Sequence, residues 1–109
     1  MTSNKNNFGN LRERSINDLI VFAVFQIEER GEAATFERLV KECFDSFPKV
    51  FSFAKYAKWP DARKIDRPLR DLRSRGVVSG DPSTSFSLTS EGKKQAEAIV
   101  KGLRQKKLL

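Results

Sequence analysis

Between Ile16 and Ile27 apolar side chains fall on nearly every side of a single helix, and that segment dictates what the rest of the chain must supply. The spacing predicts a helix from Ser15 to about Arg30, where Gly31 provides a stop. Ile16, Leu19, Ile20, Ala23, Val24 and Ile27 repeat with the helical period and form one wide face, while Val21, Phe22 and Phe25 fall on the opposite side. A helix apolar nearly all round has to be covered on both sides. The 109 residues suffice for one compact domain. The second cover is therefore either the C-terminal helix or a partner subunit.

The following segments read as smaller amphipathic pieces. Thr35 can cap a second helix, with Glu37 in its first turn favouring the dipole. Phe36, Leu39, Val40, Cys43, Phe44 and Phe47 form its apolar stripe, and Pro48 ends it. Cys43 lies on that stripe and reads as a small buried apolar residue rather than a reactive thiol. Residues 48–59 are irregular or hold a short helix. They mix Phe51, Phe53, Tyr56 and Trp59 with Lys49, Lys55 and Lys58. The plainer reading is that these rings complete the core of a small domain. The other is that they stack bases while the lysines hold phosphates.

A third helix is predicted from Pro60 to about Arg75, closed by Gly76. Ala62, Ile65, Leu69 and Leu72 share one face, and Arg63, Arg67, Arg70 and Ser74 the opposite one. Pro68 costs about 3 kcal/mol in a helix interior but nothing in the first turn. The continuous helix therefore begins near Asp66 with that residue as its cap, or kinks between two short pieces. Val77-Val78, the turn at Asp81-Pro82 and the alternation of Phe86 and Leu88 with serines predict a β-hairpin over residues 77–88. Thr89 or Ser90 caps a last helix carrying a narrow stripe of Ala96, Ile99, Val100 and Leu103 and ending in basic residues. Residues 1–10, polar and Asn-rich, read as a disordered tail ahead of a domain spanning residues 11–109. The expected class is α+β, mostly α.

Composition narrows the chemistry. The chain has no histidine, so a histidine general base, a Ser-His-Asp triad and a His-containing metal site are excluded. A single cysteine excludes an internal disulfide and a thiolate zinc cage. Neither a cofactor nor enzymatic activity is expected. The longest apolar run, Leu19 to Phe25, is too short to span a membrane, and the first ten residues lack a signal-peptide core, which points to a cytoplasmic protein. The net charge of +7 is unevenly placed: residues 1–48 carry −2, residues 49–75 carry +6 and residues 76–109 carry +3.

The order helix, helix, basic helix, hairpin, helix resembles the winged helix-turn-helix domain of bacterial and archaeal transcription regulators. The stretch Ile65-Asp66-Arg67-Pro68-Leu69-Arg70-Asp71-Leu72-Arg73-Ser74-Arg75-Gly76-Val77-Val78 looks like a recognition helix running into the first wing strand. Phe86-Ser87-Leu88-Thr89-Ser90-Glu91-Gly92-Lys93 is similar to the family's aromatic-x-Leu-Thr-x-x-Gly passage from wing to helix. Ala33-Ala34 could add a third strand. The resemblance implies a three-helix core, a wing and an extra C-terminal helix. It also implies double-stranded DNA as the partner, with the third helix in the major groove. Carried over, Arg63, Arg67, Arg70 and Ser74 would face the duplex, with Lys64, Lys55 and Lys58 on phosphates. Two departures stand out: the wing tip, residues 79–84, has no Lys or Arg, and the connection from Phe47 to Pro60 far exceeds the usual short turn.

The expectation is a DNA-binding transcriptional regulator, dimeric through helix 1 and the C-terminal helix. The alternative is a winged-helix protein-interaction module without DNA binding. A third reading matches Asp61, Glu91 and Lys93 to a metal-dependent nuclease pattern. It fits poorly, because Glu91 and Lys93 belong on a strand in that chemistry and here they open a helix.

Overall fold

The computed structural model describes the backbone of residues 15–108 and the side chains of residues 15–102. The segment 1–10, the first residues of the expected domain and the side chain of Leu103 lie outside the described residues. The described part is α+β and mostly helical. Its elements are α1 (Ile16–Glu29), α2 (Phe36–Ser46), α3 (Pro48–Phe51), α4 (Arg63–Ser74), β1 (Val78–Gly80), β2 (Phe86–Leu88) and α5 (Ser90–Leu108). No described helix is long and apolar enough to cross a membrane.

α1 is the central element, packed against α2, α4, α5 and β2. Its residues Leu19 to Val24 and Ile27 are buried, and Phe25 packs partly buried against the same core. The ambiguity of its second face is thus resolved within the chain, since α5 supplies the cover through Ala96, Ile99 and Val100. Most of the apolar surface of α1 is thereby used within the chain, with Ile16 exposed and Phe25 partly buried. Phe47 joins the core edge-on to Phe22, with centroids 6.2 Å apart, and lies 6.3 Å from Phe51. Cys43 is fully buried beside them, and burial pushes its thiol pKa far up.

The helix boundaries follow local rules. The Ser15 side chain accepts from the amide of Asp18, and that of Thr35 from the amide of Arg38. α1 and α4 end alike. Gly31 and Gly76 both have φ of 75°, and each follows its helix with the paired bonds of a Schellman motif. Glu32 N–H donates to Ile27 and Gly31 N–H to Glu28, while Val77 N–H donates to Leu72 and Gly76 N–H to Arg73. Pro48 ends α2 and also starts α3 at its first position, where no amide donor is needed.

β1 and β2 form an antiparallel hairpin with Val78 opposite Leu88 and Gly80 opposite Phe86. The expected third strand is reduced to one bridge, in which Phe86 N–H donates to the carbonyl of Ala34 over 2.9 Å. Thr89, not Ser90, caps α5. Its hydroxyl accepts from the amide of Gly92 at 3.0 Å and lies 2.6 and 3.0 Å from the carbonyls of Gly76 and Val77.

One buried charge holds the α1–α2 corner. The carboxylate of Glu42, 4% exposed, lies 2.8 Å from Arg30 and 3.0 Å from Arg38. Glu42→Ala would leave two guanidinium groups facing each other over an empty site. Arg30 keeps water access, but Arg38 Nη1 is buried with Glu42 as its counter-charge, so the expected loss is about 3 kcal/mol. Urea unfolding checks this as a lower midpoint at unchanged slope.

Candidate nucleic-acid interface

Ile65, Leu69 and Leu72 anchor α4 in the core, so the positions opposite them face outward. Arg63, Arg67, Arg70 and Ser74 are all exposed and, at spacings of four, three and four, form one stripe about 16 Å long. The helix begins neither at Pro60 nor at Asp66 but at Arg63, and it runs through Pro68 without ending. Its N-cap position is Ala62, and the carboxylate of Asp61 just before it accepts from the amide of Arg63 at 3.1 Å. Asp66, expected as the cap, instead pairs with Arg70 at 2.7 Å. Ala62, expected on the apolar face, is only half-buried and sits at the helix start.

The predicted site residues divide by what they already hold. Arg63 makes two bonds to the carboxylate of Asp61, at 3.0 and 3.1 Å, and its guanidinium lies 5.5 Å from the centre of the Phe53 ring. Lys64 turns away from the stripe. Its ammonium donates to the carbonyls of Val50 and Ser52, at 3.3 and 2.8 Å, and satisfies the open end of α3. It is a structural residue rather than a free phosphate ligand. Arg70 is paired but exposed, and Arg67, Ser74, Lys55 and Lys58 are exposed with no partner among the described residues. The structure therefore keeps Arg67, Arg70 and Ser74 together with Lys55 and Lys58 available at the helix's N-terminal end, and withdraws Lys64.

Asp61 is almost fully buried, and its pKa is held below the ordinary carboxylate value chiefly by the side-chain hydrogen bond from Arg63, with the Arg63 amide and nearby cations assisting. A depressed folded-state pKa contributes stability that is present above the unfolded value, about 4, and lost as pH falls through the folded one. Melting curves between pH 7 and pH 2 should therefore show wild type above Asp61→Asn at neutral pH, with the gap closing below about pH 4. A constant gap would place the contribution in packing rather than charge.

The long connection holds what the sequence reading placed differently. Phe51 is buried, as expected for a core ring, and Phe53 is half-buried. Tyr56 and Trp59 are 69% and 65% exposed. With Phe53 they line an open apolar hollow of about 460 Å³. No family model, curated protein or solved structure matches the chain.

The hairpin is tied to the far end of α4. Arg73 lies 5.9 Å from the centre of the Phe86 ring, and Asp81 at the turn accepts from the amide and hydroxyl of Ser83. Those two bonds, then the charge of Arg73, lower the Asp81 pKa. Of the nuclease-like residues, Asp61 is committed to Arg63, and Glu91 stands in the first turn of α5 rather than on a strand. Glu28 and Glu29 line a second hollow with Glu97 and Lys93, but no described group of three acidic or thiol side chains could hold a metal ion.

Proposed function

We propose that this chain is a winged helix DNA-binding protein that acts as a transcriptional regulator by occupying a site on double-stranded DNA. In this reading α4 is the recognition helix, the β1–β2 hairpin the wing and α5 the added C-terminal helix. The observation that carries it is the exposed stripe Arg67, Arg70 and Ser74 on α4, opposite its buried face, with Lys55 and Lys58 exposed in the loop that precedes the helix. A planar guanidinium suits guanine edges and phosphates alike, and a helix of this width fits the major groove. The wing tip has no cation and would contribute hydroxyls and amides only.

The experiment is fluorescence anisotropy of a labelled mixed-sequence duplex titrated at low and moderate salt. Affinity that falls steeply with salt supports phosphate contact. Absence of binding at low salt overturns the reading and leaves docking of a protein partner as the use of this face.

A further inference from the structure

The connection between α3 and α4 is a built loop rather than slack chain. Its ends are clamped: Ser52 bridges Pro60, Phe53 N–H donates to the carbonyl of Trp59 over 3.0 Å, and Asp61 N–H donates to the carbonyl of Phe51 over 2.7 Å. Lys64 ties the carbonyl of Ser52 to α4, and the Asp61-held guanidinium of Arg63 sits over the Phe53 ring. On this rigid base Trp59 N–H donates to the carbonyl of Tyr56 over 3.0 Å, and both rings stand in solvent. Large rings held exposed side by side mark a contact surface, because ordinary packing would bury them.

Charge identifies the occupant. From Ser46 to Pro60 the chain has no acidic residue and three lysines. Lys55 and Lys58 flank the rings within the loop, and the guanidinium of Arg63, at the start of α4, lies over Phe53. The nearest carboxylate, Asp61, is buried and neutralised by Arg63. An apolar hollow walled by three rings and rimmed by cations suits a flat, uncharged ring attached to an anionic backbone. That is the chemistry of an unpaired nucleotide, with bases stacking on the rings and phosphates meeting the lysines. Bases inside a duplex are not available for such stacking.

We infer that the loop Phe53–Trp59 is a stacking platform for unpaired bases, so that the preferred ligand is DNA in which a duplex passes into a single strand. The inference rests on the proposed duplex binding by α4 and adds a second contact at that helix's N-terminal end.

The test uses the full chain with three labelled ligands: a blunt duplex, the same duplex with a single-stranded extension, and a single strand alone. Trp59 is the one tryptophan in the chain, so its intrinsic fluorescence reports the platform directly. Expected are quenching of Trp59 by the single strand and affinity for the extended duplex roughly tenfold above the blunt one. The double variant Tyr56→Ala with Trp59→Ala, both exposed and so expected to keep the wild-type circular dichroism, should lose that preference while still binding the blunt duplex. Blunt-duplex binding with no preference for the extension and no quenching overturns the platform and leaves the proposed function standing. Quenching by the single strand without duplex binding supports the platform and overturns the reading of α4. Quenching by vesicles of anionic phospholipid but not by the single strand overturns the inference in favour of a membrane surface. If neither DNA form binds, both readings fail and a protein partner takes the loop.

Discussion

Gly92→Ala is expected to lower the melting temperature by roughly 10–20 °C, corresponding to about 3 kcal/mol in a domain of this size. Helix propensity alone predicts the opposite sign, since alanine is favoured over glycine inside a helix by about 1 kcal/mol. The contact decides. A Cβ on residue 92 would stand 2.2 Å from the carbonyl oxygen of Val77 and 3.2 Å from its carbon. Backbone cannot swing aside as a long side chain would. That carbonyl also accepts from the amide of Thr89, at 3.1 Å, and lies 3.0 Å from its hydroxyl. Any shift that relieves the clash therefore breaks the cap of α5 and loosens the helix that covers the second face of α1. Gly31→Ala is the control: the backbone there is left-handed but nothing lies within 4 Å of the new methyl group, so the cost is about 1 kcal/mol of backbone strain alone. A stabilised or unchanged Gly92→Ala would mean that α5 does not start against Val77.

The same contact shows what was legible beforehand and why. The Leu88-Thr89-x-x-Gly92 spacing could be picked out as a pattern because cap and glycine lie three residues apart on one turn, although what forbids a side chain at Gly92 is the distant carbonyl of Val77. The helix start at Ser15, the cap at Thr35 and the glycine stops at Gly31 and Gly76 were legible because each signal is local, as were the hairpin and the stripe on α2. The unread features depend on partners distant in sequence or on competition between neighbours. Lys64 sits beside Arg63 and looks identical in charge, and only the open carbonyls of Val50 and Ser52 distinguish it. Asp66 was the expected cap of α4, but it pairs with Arg70, and the carboxylate of buried Asp61 takes the amide of Arg63 instead, which only the clamped loop could decide. Tyr56 and Trp59 were read as core because a small domain needs large rings. Phe22, Phe47 and Phe51 already supply them, and that sufficiency is a property of the packed whole. Buried Glu42 falls on the polar flank of its helix, and nothing in a one-dimensional pattern marks it as enclosed by Arg30 and Arg38.

Replacing both Arg67 and Arg70 with alanine is expected to weaken duplex binding roughly 10- to 100-fold at low salt and to reduce the salt slope by up to about two. Folding should be untouched, because both side chains point to solvent and the i,i+4 pair of Arg70 with Asp66 contributes well under 1 kcal/mol. The two arginines should not contribute equally. Arg67 has no partner among the described residues and gives its full charge to a phosphate or base edge, whereas Arg70 must first leave Asp66 at 2.7 Å. Arg67→Ala should therefore account for most of the loss. The same pairing predicts a gain: Asp66→Asn removes a negative charge from the face and frees Arg70, so duplex affinity should rise while stability changes little. Anisotropy titrations of the three single variants and the double variant separate these outcomes. A loss of affinity in Asp66→Asn would mean that the pair positions Arg70 for the duplex rather than restraining it. Unfolding of the arginine double variant would mean that the stripe is part of the scaffold and not of an interface.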